Sequence, residues 1–134
     1  MAYTLSFDWL LNYDLRKVGI TTPVTLKSGS EIVHFDAHLD TGATYCVFER
    51  AHGEALGLDI EAGHYERIGT AMGSFPAFGH SVNLIVSDFN CEATVFFAAD
   101  EWFNRNVLGR VGFLDRVLLG LHDYAGQLYL SRND

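Results

Sequence analysis

The residues best equipped for chemistry gather in one run: His34, Asp36, His38 and Asp40, alternating with Phe35, Ala37 and Leu39 and followed at once by Thr41-Gly42-Ala43. Alternation of apolar and polar residues is the pattern of a half-buried strand, whose successive side chains point to opposite faces. Val33, Phe35, Ala37 and Leu39 then share one face, and the two histidines and two aspartates share the other. Two chemistries compete for that polar face. Imidazole and carboxylate are both zinc ligands, but side chains two apart on a strand lie some 6–7 Å from each other. A metal with short bonds takes two of them, and His52, His64, His80 and His122 are scattered along the rest of the chain. The face therefore reads as a solvated polar surface, and no metal is expected. The other chemistry is general acid–base catalysis by the carboxylate that ends the strand. Gly42 permits a tight turn that aims Asp40, and the small Ala43 keeps the loop floor narrow enough for a substrate backbone to approach. Nucleophilic catalysis finds no support. There is no Gly-x-Ser-x-Gly elbow, and Cys46 sits in the apolar run Tyr45-Cys46-Val47-Phe48, as a buried, inert thiol would.

A second segment gives the first its meaning. Asn106-Val107-Leu108-Gly109-Arg110 leads into Val111-Gly112-Phe113-Leu114. Asp-Thr-Gly-Ala, followed at this distance by two apolar residues, Gly and Arg, resembles the paired signature of the retropepsin family, the single-domain aspartic proteases typified by those of retroviruses. The resemblance covers roughly residues 20 to 130 and leaves 1–19 unmatched. It implies a mainly β fold, closed or barrel-like, with one or two short helices and a flap hairpin. It also implies an aspartic endopeptidase that acts on polypeptides without a cofactor. Such chemistry needs two carboxylates held so close that they share a proton, one acting as base and the other as acid. The chain holds one Asp-Thr-Gly and is too short for a duplicated arrangement, so the implied site belongs to a homodimer, with one Asp40 from each subunit meeting across a two-fold axis.

Further roles follow from the resemblance. Thr41 occupies the position of the family's threonine that bonds across the dimer axis. Gly109 would let the strand of Val107 and Leu108 pass closely under the Asp40 loop, and Arg110 is expected to orient that loop through hydrogen bonds. The segment Ile68-Gly69-Thr70-Ala71-Met72-Gly73-Ser74-Phe75 resembles the flap, with Met72 and Phe75 offering apolar contacts to substrate and Gly73 a hinge. His38, two residues before Asp40 on the same face, is expected to wall the substrate pocket, where its titration adds a pH dependence. One departure stands out. Thr44 occupies a place where retroviral enzymes carry an acidic partner for the arginine of the second motif, and a threonine there is more like the bacterial and cellular members. The C-terminal hairpin is longer than a retroviral protease needs, and is available to form or cover the dimer interface. The alternative is a retropepsin-like dimerisation or peptide-binding module with little turnover. The intact Asp-Thr-Gly-Ala speaks against it.

The elements that must position these residues are short. A strand is expected over Tyr3 to Trp9, and a hairpin from Pro23–Lys27 and Glu31–Leu39 around Ser28-Gly29-Ser30. A short strand over Thr44–Val47 leads into a helix marked by Phe48, Ala51, Ala55 and Leu56, which stops at Gly57. Glycines 63, 69, 73 and 79 bracket a mobile hairpin. Val82–Val86 and Ala93–Phe97 pair around Ser87-Asp88-Phe89-Asn90, Val107-Leu108 form a short buried strand, and Arg110–Arg116 a short helix. A last hairpin joins Val117–Leu121 to Gln127–Leu130 across Asp123–Gly126.

Composition sets the outer bounds. With 49 % hydrophobic and 19 % charged residues, the 134 residues form one compact domain rather than a disordered chain. A net charge of −8 disfavours nucleic acid or an anionic membrane as partner, and leans towards basic or neutral substrates. Two cysteines are too few for a disulfide framework and read as reduced thiols. The N-terminus lacks a basic region followed by an apolar core, and no stretch reaches the roughly 18 apolar residues of a membrane span, so a cytoplasmic protein is expected.

Overall fold

The computed structural model describes residues 1–133. In chain order its elements are β1 (Trp9–Asn12), β2 (Thr21–Ser28), β3 (Glu31–Leu39), β4 (Val47–Phe48), α1 (Arg50–Ala55), β5 (His64–Thr70), β6 (Gly73–Val86), β7 (Phe89–Ala98), β8 (Val107–Leu108), β9 (Val117–His122) and β10 (Gln127–Arg132). Single 3₁₀ turns cover Ile60–Ala62, Leu114–Arg116 and Asp123–Ala125.

The larger sheet runs in the order β2-β3-β8-β4-β7-β6-β5, and β2 also pairs with β6 through Thr25↔Ile85, Leu26↔Leu84 and Lys27↔Asn83. That extra pairing joins the sheet to itself and makes the expected barrel-like closure, with β5 left outside it as the partner of the first half of β6. A smaller antiparallel sheet, β1-β10-β9, packs beside it. Both sheets feed one hydrophobic core, in which Phe48, Phe89, Phe97, Phe113, Leu84 and Leu108 meet Leu128 and Leu130. Along β3 the sequence alternation becomes alternation of burial. Val33, Phe35, Ala37 and Leu39 are turned inward, and Ile32, His34, Asp36 and His38 outward.

The structure moves several boundaries for identifiable reasons. The first strand is Trp9–Asn12 rather than Tyr3–Trp9, because the pairing with β10 runs from Trp9↔Leu130 to Asn12↔Gln127. Before it, Phe7 lies on the ring of Tyr129 at 5.7 Å and in the space left open by Gly120. The expected strand over Thr44–Val47 is reduced to Val47–Phe48, with Tyr45 forming an isolated bridge to Val111. Phe48 is drawn into the core as a strand residue, so the helix starts only at Arg50. Gly57, at φ +77°, follows it in the left-handed region. The helix expected over Arg110–Arg116 is one 3₁₀ turn, since Gly112 at φ +102° cannot continue a right-handed helix. The turn after β6 is Ser87-Asp88 alone: Phe89 pairs with Val86 and is fully buried. β6 itself is a single strand that runs from the glycine-rich hairpin through Val82–Val86.

Candidate active site

Asp40 is set at the end of β3 by main-chain bonds on both sides. β3 and β8 lie parallel with His38↔Val107 and Leu39↔Leu108 in register. The Leu39 N–H donates to the Ile20 carbonyl at 2.8 Å, and the Asp40 N–H donates to the Leu108 carbonyl at 3.0 Å. The chain then turns, with the Ala43 N–H on the Asp40 carbonyl at 3.2 Å and the Gly42 N–H on Asp40 Oδ1 at 2.9 Å. The rest of the loop is fastened to the segment after β8. The Arg110 N–H reaches the Ala43 carbonyl at 2.9 Å, and the Val111 N–H the Thr44 carbonyl at 2.7 Å.

Two glycines fit this arrangement by clearance. A Cβ at Gly109 would stand 2.8 Å from the Ala43 oxygen and 2.7 Å from the Tyr45 carbonyl carbon, so no side chain fits there. Gly42 lies in this turn without a left-handed backbone, and a Cβ there would lie 3.3 Å from Asp40 Oδ1. Its smallness leaves room for the carboxylate to fold back onto its N–H. Leu108 is fully buried beneath the loop. Arg110 is exposed, and among the described residues its guanidinium makes no hydrogen bond or ion pair; its N–H and its carbonyl, which accepts from the Asp115 N–H at 2.9 Å, do the orienting instead. Thr41 is exposed, and its hydroxyl makes no hydrogen bond among the described residues. The Cys46 thiol is buried under the same loop and receives the Gly109 N–H at 3.4 Å; burial pushes it up to about 12, so it stays protonated and unreactive.

A cleft of about 430 Å³ opens above Asp40. Its floor is the loop Asp40, Gly42, Ala43 and Thr44, and the β5–β6 hairpin overhangs it with Arg67, Ile68, Gly69, Thr70, Ala71 and Phe75. Tyr45, Val47, Phe103, Arg105 and Val107 complete the walls. The walls are stiffened by aromatic packing, Phe75 on Phe103 at 4.6 Å and Tyr45 on Phe96 at 4.8 Å. At the hairpin tip, Thr70↔Gly73 is the last pair before the turn Ala71-Met72. Thr70 Oγ1 donates to the Gly73 carbonyl at 3.0 Å and accepts the Met72 N–H at 3.2 Å. Gly73, at φ +126°, holds a conformation that favours glycine.

Not every residue singled out in the sequence reaches this cleft. Met72 projects from the tip, 96 % exposed, and neither it nor Gly73 lines the space. His38 is turned away: its Nε2 is 3.0 Å from the Val18 carbonyl, and its ring covers Gly19. The rest of the polar face of β3 is similarly dispersed, His34 to Thr25 Oγ1 at 2.8 Å and Asp36 to Lys17 Nζ at 3.5 Å. Conversely, sequence reasoning missed Tyr45, Arg67, Phe103 and Arg105. Only Phe103 left a signal, as half of an aromatic pair (Trp102-Phe103) in an otherwise polar connection.

A carboxylate at a strand end, below a glycine-rich hairpin and above an apolar-Gly-Arg segment, is the arrangement expected of a retropepsin-like fold. The family model for aspartyl proteases matches residues 22–122, and this chain belongs to that family. Its fold is similar to that of the EIAV protease solved in complex with the inhibitor HBY-793, at 24 % identity and a TM-score of 0.57, covering 75 % of this chain and 88 % of that one. No curated protein matches the sequence.

Proposed function

We propose that this aspartic protease is an endopeptidase that works as a homodimer through paired Asp40 residues. One observation carries the reading: among the described residues Asp40 is the single carboxylate lining the cleft under the β5–β6 hairpin. Acid–base hydrolysis needs two carboxylates sharing a proton, so the second must come from another copy. The free hydroxyl of Thr41, beside Asp40, suits it to bond to its counterpart across the axis. An extended polypeptide would lie under the β5–β6 hairpin, adding backbone hydrogen bonds as an extra strand does. A water between the carboxylates attacks the scissile carbonyl carbon and gives its proton to the ionised Asp40, while the protonated Asp40 donates to the carbonyl oxygen. Collapse of the tetrahedral intermediate returns a proton to the departing amine. The chemistry asks for no cofactor. Two free thiols, Cys46 and Cys91, suit a reducing setting, and we assign the protein to the cytoplasm on that ground.

The test is incubation with a diverse peptide mixture from acid to neutral pH, beside Asp40→Asn, with products read by mass spectrometry. Wild-type cuts that vanish in Asp40→Asn, in a variant that still sediments as a dimer, are the expected result. A folded dimer that cuts nothing at any pH would instead be a peptide-binding module on the same scaffold.

A further inference from the structure

Three strands pair on one side only. Among the described residues, β5 pairs with β6 alone, and β1 and β9 each pair with β10 alone. An open edge presents unpaired N–H and C=O groups, and folded proteins protect such edges with charge, shortness, proline or a bulge. β5 carries Glu66 and Arg67, and β1 is only four residues long. β9 has none of these protections. Its six residues, Val-Leu-Leu-Gly-Leu-His, include no aspartate, glutamate, lysine, arginine or proline. Its register with β10 is unbroken from Val117↔Arg132 to His122↔Gln127. Leu118 and Leu121 stand 41 % and 46 % exposed along it. The last strand, β10, has no open side, because β1 and β9 of the same chain flank it.

We propose that β9 pairs edge to edge with β9 of a second copy, joining two three-stranded sheets into one of six strands. A strand that pairs antiparallel with its own copy does so about a two-fold axis normal to the sheet, with one residue opposite itself. That is the symmetry paired carboxylates ask for, and such an axis keeps both barrels on the same face of the joined sheet. β9 is also tied closely to the Asp40 loop. Arg110 gives its N–H to the Ala43 carbonyl and takes the Asp115 N–H on its own carbonyl, both at 2.9 Å, and β9 begins two residues after Asp115. The inference rests on the reading of the protein as a homodimer through Asp40, and names the surface that joins it.

The test compares the wild type with Leu118→Lys/Leu121→Lys, which charges the β9 edge, and with Leu10→Lys, which charges β1 at the other edge of the same sheet. Sedimentation velocity over a range of concentrations gives the dimer Kd. Circular dichroism in urea shows whether each variant folds, and cleavage of a peptide mixture gives its activity. The wild type and Leu10→Lys should dimerise alike. The double variant should fold, with its dimer Kd raised about tenfold or more and its cleavage lost in step. Hydrogen exchange on the wild type needs no variant. From dilute to concentrated protein the β9 amides should slow by about tenfold or more, while those of β1 stay as they are. A double variant that folds and dimerises like the wild type overturns the edge pairing and leaves the Asp40 dimer standing. So does β9 protection that ignores concentration in a protein that dimerises, or a dimer that Leu10→Lys breaks equally. A wild type that cuts peptides as a monomer at every concentration overturns both.

Discussion

At position 109 two carbonyl groups leave space for a hydrogen atom and nothing larger. Gly109→Ala must therefore push the Asp40 loop off the strand beneath it. We expect a loss of at least about 2 kcal/mol of stability, the scale of overpacking at a rigid site, seen as a lower urea midpoint with an unchanged slope. Gly69→Ala is the control. Its Cβ would meet nothing within 4 Å and its backbone is not left-handed, so its effect should stay within about 0.5 kcal/mol. Equal effects of the two substitutions would show that clearance under the loop does not matter. At this scale Asp40 was legible in the sequence, because strand alternation and a following turn are both local patterns. Arg67 and Arg105 were not, since a cation's position on a cleft wall depends on how distant elements meet. Arg110 bonds to the loop through main-chain atoms, which any residue but proline supplies.

One helix and one strand meet through a single titrating residue. His52 of α1 stacks on Phe35 of β3, ring centres 4.0 Å apart and 13° from parallel, and its Nε2 lies 3.1 Å from Glu49 Oε2. Glu49 is tied in turn to Asn106, its N–H to Oδ1 at 3.0 Å and its Oε2 to Nδ2 at 3.0 Å. The Asn106 carbonyl accepts the His38 N–H at 2.8 Å, so the network reaches the strand that carries Asp40. Burial holds His52 below its ordinary pKa of 6.5, against the opposing pull of Glu49. As pH falls past the ordinary value, the unfolded chain takes up this proton before the folded one does. Stability therefore declines from there down to the lowered folded-state pKa, and no further below it. The decline cannot exceed about 1.4 kcal/mol per pH unit, the limit for one proton. Urea midpoints between pH 7.5 and 5 should fall less steeply for His52→Gln than for the wild type; parallel curves would mean that His52 titrates alike in both states. The hairpins of these elements were readable in advance from alternation and glycine placement. The limits of β1 and the 3₁₀ turn at Leu114–Arg116 were not, because the first is set by a partner strand at the other end of the chain and the second by the backbone angle at Gly112.

For the whole molecule, the proposed dimer makes a quantitative demand. When wild type and Asp40→Asn are mixed in equal amounts and allowed to exchange, only dimers with two intact carboxylates should cut, leaving about one quarter of the activity of an all-wild-type sample at the same total concentration. One half would mean that each subunit works alone. The barrel-like closure that frames this site was expected from the count of short strands and the family resemblance, but the pairing that makes it, β2 with β6, joins residues far apart in sequence and left no local trace. The seat of Asp40 is just as non-local, since its N–H is held by the carbonyl of Leu108. Synthesis proceeds from the N-terminus at about 5–20 residues per second, so on the order of ten seconds separates the making of the carboxylate from the making of its support. During that interval a growing chain possesses the acid but not the site. In the proposed enzyme, cleavage would therefore wait on the residues around Leu108, and a growing chain that stopped short of them could not act on the chains being made beside it.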